Sequence, residues 1–78
     1  MYLDAPPEDW DRVSIAIADR VNDALRGRLR GFELHHVEGA FVLDGECATF
    51  HVKQLAQEAV IGLSRVPIRS NRISVIAA

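Results

Sequence analysis

A single cysteine, Cys47, stands among the 78 residues. It has no partner for an internal disulfide, which secreted domains of this size usually need, so a reducing compartment is favoured. Aromatic residues make up only 6% and include one tryptophan, too few for a ladder of rings that stacks nucleic-acid bases. Nine basic and eleven acidic side chains leave a net charge of -2, without the excess of one sign that marks a nucleic-acid binder or a membrane-coating peptide. Long apolar runs are missing as well. Stretches such as Ile15 to Ala18 and Ala40 to Leu43 fall far short of the roughly 20 residues that cross a bilayer, so no transmembrane segment is expected. The opening from Met1 to Asp9 has neither the basic start nor the apolar run of a secretory signal. On the visible sequence the expected location is cytoplasmic, with a short acidic leader over residues 1–8 and a single domain over 9–78.

What is present is ordinary for a folded domain: 49% hydrophobic and 26% charged residues, far from the composition of disordered segments. A chain of this length forms one core and buries only about 60% of the surface exposed when unfolded. That excludes a two-domain enzyme and disfavours a deep catalytic cleft. The charge is unevenly spread: residues 1–25 hold six acids and two bases, and residues 26–78 hold five acids and seven bases.

Pro6 and Pro7 suit the entry to a helix, and Glu8, Asp9 and Asp11 suit the positive end of its dipole. Trp10, Val13, Ile17, Val21, Ala24 and Leu25 then recur at helical spacing, with Ile15 off the stripe. Gly27 and Gly31 end that helix between Arg26 and Arg30. Phe32 to Val37 and Ala40 to Gly45 read as two strands joined by Glu38-Gly39, with Gly39 free to take positive φ and Gly45 closing the second strand. This register sets Phe32, Leu34, His36, Phe41 and Leu43 on a core face, and Glu33, His35, Val37, Ala40, Val42 and Asp44 on a mixed face. Thr49 is a good N-cap for a second helix carrying Val52, Leu55, Ala56, Ala59, Val60 and Leu63, ended by Gly62 and Pro67. Ile73 and Val75 alternate with Arg72, Ser74 and Ile76 in a third strand, parallel to the second because a helix connects them. The expected class is α+β: an α-β-β-α-β two-layer sandwich, with two helices on one face of a three-stranded mixed sheet and the other face open.

The run Gly39-Ala-Phe41-Val-Leu43-Asp-Gly45, a capped helix with Lys53, Ala56 and Ala59, and then Asn71-Arg-Ile73-Ser-Val75 resembles a BON domain over about residues 12–76. The resemblance implies a non-enzymatic module of the bacterial envelope that binds phospholipid or another envelope component, with no catalytic residue and no cofactor; many members carry a second copy of the domain, and this chain shows one. It also implies a periplasmic location if a signal has been removed. Gly39 and Gly45 match the family's turn glycines. Where members carry a Gly-Val pair, this chain has Arg65-Val66, so the turn there is made another way, through Pro67.

No residue pattern points to catalysis. His35 and His36 are adjacent in a strand and point to opposite faces, and Cys47 with His51 lacks the spacing of a zinc site, so no metal is expected. The acids have no motif spacing for general acid and base. Two surfaces remain as binding candidates. Arg26, Arg28 and Arg30 either offset the negative end of the first helix or meet lipid headgroups at about 1 kcal/mol each. On the open sheet face, His35, Val37, Val42, Arg72 and Ile76 form either a protein interface or a scatter of surface side chains. The expected partners are lipid headgroups or a protein, with no nucleic acid, and the chain is expected to be a monomer or a weak homodimer.

Overall fold

A computed structural model describes residues 9–76. Helix α1 spans Trp10–Leu25, strands β1 and β2 span Arg30–Val37 and Ala40–Cys47, and helix α2 spans Phe50–Leu63. Strands β3 and β4 span Ile68–Asn71 and Ser74–Val75. The α+β class and the order expected from the sequence are found. The sheet runs β1-β2-β3 with β4 also on β2; β1 and β2 are antiparallel, and both later strands are parallel to β2.

The α1 entry lies later than the proline pair suggests. Asp9 is the N-cap and accepts from the Arg12 N–H at 3.1 Å, which satisfies one of the unbonded donors of the first turn; Pro6 and Pro7 lie outside the described residues. The buried stripe is Ser14, Ile17, Ala18, Val21 and Leu25. Ala24 is exposed instead, and Ile15 is 64% exposed as its position off the stripe predicts. Thr49 caps α2 through Val52 N–H at 3.2 Å, and Val52, Ala56 and Val60 are buried. Gly62 lies inside α2, which ends at Leu63 with Ser64 as cap.

The hairpin register is the one the alternation predicts: Val37 opposite Ala40, His36 opposite Phe41, His35 opposite Val42, Leu34 opposite Leu43. Both loop residues take positive φ, Glu38 at 50° and Gly39 at 82°, the mirror-image turn whose twist matches that of the strands. Gly45 does not close β2, which continues to Cys47. Its φ is 144°, and a Cβ there would meet Phe32 Cα at 3.1 Å and Arg30 O at 3.2 Å. The register slips by one residue between Arg30 and Glu33, so β1 bulges against Gly45, and only a residue without a side chain fits under the bulge.

The third strand is interrupted. Ile68–Asn71 pairs with the first half of β2 and Ser74–Val75 with the second half, so strand begins ahead of the segment expected from Arg72 to Ile76, and Arg72 and Ile73 lie in the break. Asn71 makes the break possible: its amide donates to Lys53 O and Gln57 Oε1 on α2, and its Oδ1 accepts from Ile73 N–H. The core lies between the helices and one sheet face, around the fully buried Val21, Phe41, Leu43, Val60 and Ile73.

Candidate functional site

The Arg26–Arg30 segment is a turn whose shape is set by its backbone. Arg26 is the C-cap of α1 in the left-handed region, with φ 53°, and its N–H donates to Asp23 O at 3.3 Å. Gly27 follows at φ 75°, and Arg28 N–H donates to Leu25 O at 3.1 Å. These bonds take up carbonyls of the last helical turn. The cap is therefore a backbone device, and the three guanidinium groups are left outside it. Leu29 is buried and pins the turn to the core; Arg28 and Arg30 on either side of it are exposed, as is Arg26. None of the three forms an ion pair within 4.0 Å with a described residue. Arg30 lies across the sheet register from Glu46.

The open sheet face is organised differently from the expectation. Val42, a candidate contact there, is only 8% exposed, because it sits on the central strand with His35 on one side and Ser70 on the other. Val42 is withdrawn from the surface. Val37 and Ile76 remain exposed at 40% and 50%, but they lie at opposite ends of β2, beside Ala40 and Cys47 respectively. Seven residues of strand, about 23 Å, separate these positions, so they do not form one apolar patch. Between them, His35 Nε2 stands 3.4 Å from both Glu33 Oε1 and Asp44 Oδ2. Arg72 is exposed and held by its N–H, which donates to Leu43 O at 2.7 Å.

Groups with reactive potential sit in different surroundings. Cys47 is buried, and its thiol donates to Thr49 O at 3.1 Å, while His51 is exposed on the first turn of α2. Among the described residues no three His, Cys, Asp or Glu side chains converge on a metal position, and no helix is long and apolar enough to cross a membrane.

Two features escaped the pattern of apolar residues. Trp10 stacks on His36 with ring centroids 3.7 Å apart, and Phe41 meets both rings edge-on. His36 on the core face opposite Phe41 was visible from the register; Trp10 above it was not. Ser14 is 5% exposed and its hydroxyl has no hydrogen-bond partner among the described residues. It occupies a helical core position three residues before Ile17, and only its polarity hid it from a count of apolar side chains. No protein-family model, no curated protein and no solved structure matches this chain.

Proposed function

We propose that the chain is a non-catalytic binding module of BON type that attaches to an anionic phospholipid surface through Arg26, Arg28 and Arg30. The observation that carries this reading is three exposed guanidinium groups without an ion-pair partner among the described residues, held on a turn whose capping is done by the backbone. At about 1 kcal/mol for each basic residue near an anionic surface, the turn supplies about 3 kcal/mol. That gives weak, salt-sensitive attachment, screened as the Debye length shrinks. Flotation with phosphatidylglycerol vesicles at low salt should carry the protein upward, phosphatidylcholine vesicles should not, and the combined Arg26→Ala, Arg28→Ala and Arg30→Ala variant should stay behind. Absence of binding to the anionic vesicles at low salt overturns the reading.

A second reading, a protein-interaction or homodimerisation module using the open sheet face, draws on the exposed Val37 and Ile76. Val42 is buried, so a charge placed there would disturb the fold itself. Val37→Asp and Ile76→Asp are the informative changes: light scattering that shows a monomer for the wild type and both variants removes homodimerisation.

A further inference from the structure

The outer edge of β1 is unpaired among the described residues, and the packing of α1 against β1 turns that edge into one wall of a groove. The groove, about 410 Å³, is lined on the helix side by Asp11, Ser14, Ile15 and Asp19 and on the strand side by Glu33 and Leu34, among others. Leu34 lines the groove and His36 lies just beyond it on the same edge, and the register says which backbone groups point outward there. Val37 and Ala40 flank a two-residue turn and exchange both hydrogen bonds, as do His35 with Val42 and Glu33 with Asp44; the alternating pattern then directs the N–H and C=O of Leu34 and His36 away from β2. The partner strand shows the same parity. Phe41 N–H donates to Pro67 O at 2.8 Å and Leu43 O accepts from Arg72 N–H at 2.7 Å, both on the side away from β1.

Free edges are usually blunted by lysine, proline or very short strands. From Glu33 to Val37 this edge has neither Lys nor Pro. Its surroundings are acidic: Asp11, Asp19 and Glu33 line the groove and no Lys or Arg does. Ile15, 64% exposed, supplies apolar surface on the helix wall. Ser14 also lines the groove, with its unpartnered hydroxyl below the surface. The charge argues against the occupants nearest to hand. Residues 1–8 contain Asp4 and Glu8 and no base, and a second copy approaching edge to edge brings its own Asp11, Asp19 and Glu33.

We infer that this groove binds an extended segment of another protein, one that alternates basic and apolar residues and adds to the sheet as a strand beside β1. Backbone hydrogen bonds to Leu34 and His36 hold the segment, and the acids on the rim select its basic side chains. This surface is separate from the arginine turn, so the two proposals stand or fall independently.

The probe is a capped heptapeptide alternating Lys and Val, with two controls: the same peptide with Glu for Lys, and one with Pro at alternate positions, which lacks the N–H groups a strand needs. Amide hydrogen exchange in the ¹⁵N-labelled protein should slow by about tenfold or more at Leu34 and His36 with the Lys peptide only. Combined Asp11→Lys and Asp19→Lys should weaken the peptide by about tenfold, while the triple arginine-to-alanine variant should bind it like the wild type. Unchanged exchange at these two amides overturns the inference, as does equal binding of the Glu peptide. Protection that grows with protein concentration and without peptide also overturns it, since a second copy then occupies the edge.

Discussion

The rings of Trp10 and His36 lie 3.7 Å apart and 3° from parallel, so the first residue of α1 is clamped to the strand that precedes the hairpin turn. Phe41 meets both rings nearly at right angles, at 6.0 Å from Trp10 and 5.6 Å from His36, an arrangement suited to the charge distribution of aromatic faces and edges. Trp10 is the only tryptophan and so reports on this contact alone. His36→Ala should shift its fluorescence emission to the red. The double-mutant cycle of Trp10→Ala and His36→Ala, followed by urea unfolding, should give a coupling of about 1 kcal/mol. A coupling of zero means that the stack adds nothing beyond the area each ring buries.

Two glycines should respond in opposite directions to the same substitution. Gly45→Ala forces a side chain into a φ of 144° and against the β1 backbone at 3.1 Å, and should cost about 2 kcal/mol or more. Gly62 lies within α2 with nothing near its missing Cβ, so Gly62→Ala should raise stability by about 0.5 kcal/mol. Thermal melts of the two variants beside the wild type check both signs.

Asn71 ties β3 to α2 and to the break before β4 through bonds of 3.1 to 3.2 Å to Lys53 O, Gln57 Oε1 and Ile73 N–H. Asn71→Ala leaves the part-buried Ile73 N–H without its partner and removes the tie to α2, and should destabilise the fold by about 2 kcal/mol. The amide of Ile73 should lose exchange protection more than those of α1. Asn71→Asp should rescue the Ile73 bond, because that bond needs only an acceptor, and should not rescue the two to α2.

Ser14 makes a contrary case. Its buried hydroxyl has no partner among the described residues, so Ser14→Ala removes a desolvated polar group and should stabilise the protein by about 1 kcal/mol in urea unfolding. A loss of stability instead would place a water or a neighbouring group on that oxygen.

The elements were legible in the residues because the patterns that define them are local. Alternation through Leu34, His36, Phe41 and Leu43 set the hairpin register, since a slip by one residue would turn core side chains outward. Thr49 followed by Val52, Ala56 and Val60 marked the second helix by cap and spacing. Less was legible of the candidate surfaces. The arginine cluster was visible as charge, but whether its side chains cap the helix depended on Arg26 adopting φ 53°. Val42 read as a surface residue by its face, and proved buried by its place on the central strand. The break in the third strand depended on a side chain, Asn71, reaching across to α2.

The scarcities in the sequence determined much by themselves: one cysteine leaves these residues no internal disulfide, few aromatics leave no stacking ladder, and no apolar run reaches the length of a membrane-spanning helix. Periodicity determined the order of helices and strands, because backbone geometry repeats every 3.6 or every 2 residues wherever it occurs. Only the tertiary structure decided which edge of the sheet is unpaired among the described residues, which acids surround it, and that Trp10, His36 and Phe41 gather into one cluster. Those outcomes depend on distances between residues far apart in the chain, and such distances are set by packing rather than by any local pattern.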